Sequence, residues 1–343
     1  MSTNGLEIMT SKIIITGGLG YIGSHTIVEL RDSFDEFVII DDLSNSNVSI
    51  IDRLKNLTKK KIIHINESVN NENGLKEIFK VHQPDSVMHF AGLKSVQEGE
   101  LYPDEYFHTN VTGTASLLNA LKEFNCSHFI FSSSATVYGN PEYLPYDEEH
   151  PTNPINNYGR TKLAAEQLIY DWSIDNDVSS LSLRYFNPVG AHESGLLGEK
   201  PKGIPNNLMP YILEVISGNL KTLNIYGDDY DTKDGTGERD YIHITDLAKA
   251  HIAALEYVKK NDANDIFNIG TGESISVLDI INTFENFLNT NINYTITKRR
   301  EGDLPRYFAK TNKAHNYLKW KAHKSLTDMC ADSLKWQKNY NKE

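Results

Sequence analysis

Cysteine is nearly absent from this chain. Its 343 residues include two, Cys126 and Cys330, and no C-x-x-C pair. That argues against a disulfide framework or a zinc site and fits a reducing compartment. No apolar run approaches the roughly 20 residues that a membrane-spanning helix needs. The leader, residues 1–11, lacks the basic start and apolar core of a signal peptide and reads as a flexible tail. These absences point to a cytoplasmic protein that stays off the membrane. Basic residues are also in deficit: 34 Lys and Arg against 46 Asp and Glu give a formal charge of −12. Nucleic acid would be repelled. The dense basic run Lys59-Lys60-Lys61 reads as a solvated turn leading into a strand. The 12 histidines show no ligand spacing such as H-x-x-x-H joined to a carboxylate, so no metal is expected. Internal repeats and low-complexity segments are missing too.

What remains is a chain long enough for a large core and two lobes. Short continuous apolar segments read as strands buried on both faces of a parallel sheet: Lys12–Thr16, Phe37–Asp41, Lys61–Asn66, Ser86–Ala91, Phe129–Ser133 and Leu181–Phe186. Helical patterns lie between them at Tyr21–Arg31, Gly74–Val81, Val111–Phe124 and Tyr158–Trp172. This β-α-β rhythm predicts an α/β fold with a doubly wound, Rossmann-type parallel sheet. The expected division is a cofactor-binding domain over 12–187, onto which later segments such as 240–260 pack back. A smaller, discontinuous mixed α/β lobe would occupy 188–343. Pro188–Pro210 and Asp228–Gly237 read as long binding loops around a helix at Leu208–Ile216. Ser276-x-x-Asp279 and Ser325-x-x-Asp328 have the form of capping boxes.

Gly17, Gly20 and Gly23 follow the first strand and open the first helix. Glycines there let the backbone turn tightly and approach a pyrophosphate, which rests on the positive end of the helix. Asp41 ends the second strand, where a carboxylate accepts hydrogen bonds from an adenosine ribose and repels a 2′-phosphate. NAD is therefore favoured over NADP. Asp42 is the alternative ribose contact. Phe90-Ala91-Gly92-Leu93-Lys94 follows the fourth strand, where small residues let the backbone pass close to a cofactor.

Tyr158 and Lys162 stand four residues apart on one predicted helix, downstream of Ser132-Ser133-Ser134. A nearby ammonium stabilises a phenolate, so the tyrosine can act as a base. With Phe131–Gly139 and the glycine turn, these residues identify a resemblance to the extended short-chain dehydrogenase/reductases. Within that family the chain is similar to the epimerases that interconvert UDP-glucose and UDP-galactose. The stretches Thr16–Thr26, Phe90–Lys94, Arg184–His192, Gly203–Tyr211, Gly235–His243 and Arg299–Pro305 carry the likeness, from about Lys12 to the end of the chain.

The resemblance implies a reversible oxidation at sugar carbon 4 by tightly bound NAD, rotation of the 4-keto sugar, and hydride return to the other face. Tyr158 would be the general base, Lys162 would lower its pKa, and Ser134 would hydrogen-bond the sugar hydroxyl and relay the proton. Cofactor contacts implied are Gly17, Gly20, Tyr21, Ile22, Gly23, Asp41, Asp42, Asn45, Ser46, Ser68, Val69, Phe90, Ala91, Gly92, Lys94, Thr109, Asn110 and Phe186, with Tyr158 and Lys162. Ser68 is a departure, since relatives usually place an aspartate there for the adenine. On the substrate side, Asn187 lies near the diphosphate or sugar, and Asn207 and Leu208 mark the start of the nucleotide-binding helix. Asn224, Ile225 and Tyr226 would flank the uracil, Arg239 and Arg300 would hold the phosphates, and Asp303 the uridine ribose. The alternative for both arginines is structural ion pairing with nearby carboxylates. Tyr307 would line the sugar pocket and leave little room for an N-acetyl group. Relatives are commonly homodimers.

Three rivals share parts of this pattern. A 4,6-dehydratase needs an acid and a base beside carbons 5 and 6, and family dehydratases place Asp-Glu where this chain has Ala135-Thr136. A net reductase would exchange its cofactor at each turnover. A non-catalytic sensor of NAD or nucleotide sugar would have no use for the tyrosine–lysine pair.

Overall fold

The computed structural model describes residues 12–200, 203, 205, 207–300 and 302–340. The tail expected over residues 1–11 lies outside them. Along the chain run β1 (Ile13–Thr16), α1 (Tyr21–Glu29), β2 (Glu36–Ile40), α2 (Ile50–Thr58), β3 (Lys61–Ile65), α3 (Glu72–His82) and β4 (Ser86–His89). Then come α4 (Val96–Leu101), α5 (Pro103–Phe107), α6 (Gly113–Leu121), β5 (His128–Ser134), α7 (Asn157–Asp175) and β6 (Ser179–Tyr185). The remainder comprises β7 (Asn187–Val189), α8 (Leu208–Ile216), β8 (Leu223–Tyr226), β9 (Glu238–Arg239), β10 (Tyr241–His243), α9 (Ile244–Val258) and β11 (Asn264–Ile269). It closes with β12 (Ile275–Ser276), α10 (Val277–Leu288), β13 (Tyr294–Thr297), β14 (Arg306–Tyr307) and α11 (Leu326–Tyr340).

Seven parallel strands form the central sheet in the order β11-β6-β5-β4-β1-β2-β3. Strand order reverses between β1 and β4, which opens a crevice beyond their carboxyl ends. The strands are apolar on both faces because helices cover both. Ile13 and Ile15 join the layer of α1, α2 and α9, while Ile14 joins that of α3, α6 and α7. Burying each isoleucine stabilises the fold by roughly 1.5–3 kcal/mol.

All six expected strands form, with ends shifted by a residue or two. The seventh, β11, returns to the sheet beside β6 after the 240–260 segment has packed as α9 against α1. The helix expected from Val111 is a correction. Helical chain begins at Pro103 and passes through a π-turn at His108–Thr112 before α6, so Thr109 and Asn110 lie inside it. The wider turn carries Asn110 inward, where it is 3 % exposed.

The second core gathers α8, α10 and α11 around Ile212, Ile225, Ile280, Phe284 and Met329. Both capping boxes form: Ser276 and Asp279 exchange side-chain-to-backbone bonds, as do Ser325 and Asp328. Short pairings β10–β7, β12–β9–β14 and β13–β8 build the rest of this lobe beside the sheet's carboxyl edge.

Candidate active site

β1 runs straight into the glycine turn. Gly17 has φ 67°, and a Cβ there would lie 2.5 Å from the Ala91 nitrogen, so only glycine fits between the two strand ends. Gly20 opens α1 with no side-chain cap and no acidic residue in the first turn. Among the described residues the N–H groups of Tyr21, Ile22 and Gly23 find no acceptor. This uncapped positive end, within a tight backbone cradle, fits a pyrophosphate. Asp41 lies beside it, 8 % exposed, accepting from Leu19 N–H at 3.0 Å, Leu43 N–H at 3.1 Å and the Ser46 hydroxyl at 2.7 Å. Asp42 is exposed and accepts from Ser44 N–H at 3.0 Å, whereas Asp41 is the carboxylate built into the turn. Asn45 is exposed, and the Ser68 hydroxyl accepts from Asn70 N–H at 3.3 Å, close to buried Val69.

Phe90–Lys94 follows β4 along the same edge. Asn110 holds it: the amide accepts from Leu93 N–H at 2.8 Å and donates to Leu93 O and the Thr161 hydroxyl, both at 3.0 Å. Its amide is therefore occupied in tying this loop to α7. Lys94 pairs with Glu199 at 2.7 Å.

α7 starts on the Asn156 cap, whose side chain accepts from Gly159 N–H at 2.7 Å. Tyr158 and Lys162 then share one face of the helix. The Lys162 ammonium is 5.9 Å from the Tyr158 ring centre and 4.8 Å from that of Phe131, and donates to Ser132 O at 2.7 Å. The Ser134 hydroxyl accepts from Thr136 N–H at 3.2 Å and from the Thr136 hydroxyl at 3.0 Å, and its side chain favours the ionised form of Tyr158. Burial pushes the Tyr158 phenol up to about 12, opposed by the Ser134 bond. Burial also pulls Lys162 down to about 8, opposed by the Glu166 carboxylate. Burial is the largest influence on the phenol, and the Lys162 ammonium is aimed at a carbonyl.

The substrate-side residues fall into two groups. Phe186 and Tyr307 meet at the mouth of the catalytic group, 5.3 Å between ring centres, with Tyr146 4.8 Å from Tyr307. The buried Tyr307 hydroxyl has no hydrogen-bond partner among the described residues. Asn187 donates to Asp240 O at 3.0 Å. Farther out, the Arg300 guanidinium stacks 3.8 Å from the Tyr226 ring centre. Arg239 donates to Leu304 O at 2.8 Å and lies 3.6 Å from Asp303, so these two expected ligand contacts face each other. Ile225, expected beside the uracil, is 2 % exposed with its side chain in the second core, and its carbonyl accepts from the Thr297 hydroxyl at 3.1 Å. Asn207 precedes Leu208 at the start of α8, with no cap bond from its side chain. Asn224 sits on β8 opposite Thr295.

Comparison with known proteins decides the kinship. The model of the NAD dependent epimerase/dehydratase family matches residues 13–270. The chain belongs to that family. Among this epimerase/dehydratase member's relatives is the UDP-glucose 4-epimerase of Bacillus subtilis, 46% identical, covering 95% of this chain and 96% of the relative. The human UDP-glucose 4-epimerase is 44% identical over 96% of this chain and 97% of its own length. Two solved structures are similar throughout. The UDP-glucose-4-epimerase of Stenotrophomonas maltophila, with NAD and formylated UDP-arabinopyranose, matches with TM-score 0.94 and 42% identity over 97% of this chain and 99% of that one. The Bifidobacterium longum enzyme, with NAD+ and UDP, gives TM-score 0.91 and 44% identity over 96% and 98%.

Sequence reading missed the network behind this epimerase/dehydratase site. Glu166, one turn beyond Lys162, receives two bonds from Arg184, at 3.0 and 2.7 Å, and one from Ser133 at 2.5 Å. Both charged side chains are at most 5 % exposed. The signal was available, since a carboxylate four residues after a buried lysine shares its face. Asp240 was missed too. Fully buried, it accepts from Thr271, Gly272 and Ala309 N–H groups and so fixes the strand that carries Arg239.

Proposed function

We propose that this chain is a UDP-glucose 4-epimerase, interconverting UDP-glucose and UDP-galactose without net oxidation. The observation that carries the reading is the joining of an uncapped glycine turn and Asp41 to Tyr158, Ser134 and Lys162 along one sheet edge. NAD, when bound there, reversibly accepts hydride from sugar carbon 4 and brings a positive ring to the edge. Gly17, Gly20, Tyr21, Ile22 and Gly23 would offer it backbone and dipole, Asp41 would hold the adenosine ribose, and Phe186 would border the nicotinamide.

Tyr158 takes the proton of the 4-hydroxyl at its phenolic oxygen and returns it after the sugar has turned. Ser134 steadies that proton between the hydroxyl and the phenol. Lys162 keeps a positive charge beneath the pair and anchors the strand end through Ser132. Phe186, Tyr146 and Tyr307 exclude water with aromatic walls that present few fixed polar partners, which suits a sugar that must rotate. Arg239, Arg300, Asp303 and the Asn207–Leu208 end of α8 supply the nucleotide's anchors, and Tyr226 under Arg300 gives the uracil a stacking face. Ligand binding then exchanges the Arg239–Asp303 pairing for phosphate and ribose contacts.

In this reading residues 12–187 form the cofactor domain, completed by the return through α9 and β11, and the rest of 188–343 forms the nucleotide-sugar lobe. Ala135 and Thr136 beside Ser134 supply no acid–base pair for a dehydratase. Among the described residues no helix is long and apolar enough to cross a membrane. Cys126 and Cys330 are free and buried, which supports a cytoplasmic setting. α4 and α5 pack along α7 and leave Leu101, Tyr102, Phe107 and Leu168 exposed, an apolar set that supports a homodimer testable by light scattering. The decisive experiment is incubation of the purified protein with UDP-galactose and no added cofactor. Formation of UDP-glucose supports the reading; its absence in protein shown to carry NAD refutes it.

A further inference from the structure

Residues 190–199 cross the edge of the sheet on which the glycine turn lies, and both sides of the molecule hold them. The loop folds on itself through an Ala191–Gly198 bridge and a His192 N–H to Leu197 O bond of 2.9 Å. From the first lobe, the Tyr21 hydroxyl donates to Gly190 O at 2.7 Å, Arg53 on α2 donates to Leu196 O at 3.1 Å, and Lys94 pairs with Glu199 at 2.7 Å. Tyr21 belongs to the glycine turn and Lys94 to the loop after β4, so two of these three anchors stand on the proposed cofactor cradle. The Glu199 side chain is 12 % exposed and that of Lys94 49 %, so the carboxylate end of the pair is the sheltered one.

The opposite side is held by α11. Trp336 Nε1 donates to Glu199 O at 3.1 Å, Asn339 to Gly195 O at 3.2 Å and Lys335 to Glu193 O at 2.5 Å. The Trp336 ring lies against Gly198 so closely that a Cβ at that position would fall among the indole carbons. The Arg53 guanidinium also stacks 5.1 Å from the same ring's centre, so one tryptophan touches strap and first lobe together. None of the α11 residues belongs to the catalytic group.

We propose that residues 190–199 are a strap that closes the dinucleotide edge, and that Glu199 and Trp336 are positioning residues that set how slowly the cofactor leaves. The proposal rests on reading the glycine turn as the NAD site. An epimerase needs the same cofactor through both half-reactions, whereas a net reductase must release it each cycle. A strap latched from both lobes supplies that difference, because its contacts must break before the edge opens.

The test uses the full-length protein with NAD bound, freed of excess cofactor by gel filtration. NAD release is followed by trapping it as NADH with ethanol and alcohol dehydrogenase. Glu199→Gln removes the charge that holds Lys94, and Trp336→Phe removes the indole donor while keeping a ring. Each is expected to release NAD about tenfold faster, the ratio set by losing one charge-assisted or buried hydrogen bond. Turnover of UDP-galactose at saturating NAD should stay near that of the unaltered chain. Release at the unaltered rate from variants with unchanged thermal melting overturns the strap. Should one variant fail to fold, the other decides. Should the unaltered chain bind no NAD at all, the site reading falls and takes the strap with it, a result distinct from equal release rates.

Discussion

Lys162 faces Tyr158 at 5.9 Å, ammonium to ring centre, yet gives its hydrogen bond to the Ser132 carbonyl at 2.7 Å. The lysine therefore fastens the strand that presents Ser134, with its ammonium turned to that strand's carbonyl beside the phenol ring. Both groups are driven toward their neutral forms by burial, the phenol up to about 12 and the ammonium down to about 8. Neither is poised for proton transfer by its neighbours alone. Substrate and cofactor must complete the electrostatics of the site.

Replacing Tyr158 with Phe removes the proton acceptor and keeps the ring. Epimerisation of UDP-galactose should fall by about 100- to 10,000-fold, the usual worth of a positioned acid–base group. UDP affinity, measured by calorimetry, should stay within about threefold, since no proposed nucleotide contact is touched. Unaltered turnover would remove Tyr158 from the mechanism.

Lys162→Met should make the protein more stable at neutral pH while abolishing turnover. Lowering the lysine from about 10.5 to about 8 corresponds to about 3 kcal/mol of strain at pH 7, against about 1 kcal/mol lost with the Ser132 bond. The net gain is about 2 kcal/mol. The unfolded chain keeps this proton up to about 10.5, whereas the folded chain releases it from about 8. The unaltered protein therefore gains stability as pH rises through that window, and the variant's advantage should shrink across it. Urea melts at pH 7 and pH 10 read the difference, and a constant advantage would contradict the sign.

How much of this was legible beforehand follows from what makes a pattern local. The glycine turn, Asp41 and the Tyr158–Lys162 spacing each lie within one element or one junction, and the six strands from β1 to β6 are near-continuous apolar runs. β11 escaped notice because Asn264-Asp265-Ile266-Phe267-Asn268-Ile269 is half polar. It lies at the sheet's edge, and its partner β6 is some eighty positions away. The π-turn at His108–Thr112 has no compositional mark. Ion pairing of Arg239 was an open alternative in the sequence, but which carboxylate it meets depends on β9 lying beside the segment that carries Asp303, which spacing along a chain does not encode.

Arg184 and Glu166 give a stability prediction at some distance from the sugar. They are 3 % and 5 % exposed and joined at 2.7 Å, with Ser133 completing the carboxylate. Arg184→Met strands a buried charge and should cost about 3–5 kcal/mol in urea unfolding. The double change Arg184→Met with Glu166→Met removes both charges and should recover most of that loss. A double variant as unstable as the single one would mean that the guanidinium's packing over Tyr138, 4.8 Å from its ring centre, matters more than its charge.

Tyr307 bears on which sugars the pocket admits. Its ring leans on Phe186 and Tyr146, and its hydroxyl is buried without a partner among the described residues, so there the side chain is held by packing. A ring fixed in this way narrows the pocket without supplying a polar contact that a larger sugar could exploit. The unaltered chain should therefore turn over UDP-galactose well and UDP-N-acetylgalactosamine poorly. Tyr307→Ser clears the ring and should raise turnover of the N-acetylated substrate by about tenfold or more relative to UDP-galactose. The cost in stability is about 2 kcal/mol, below the range for full burial because the ring is only part-buried. Assaying both sugars with both proteins separates the outcomes. Comparable use of the two sugars by the unaltered chain would show that the ring swings aside, and an unchanged ratio in the variant would show that the acetyl group is accommodated elsewhere.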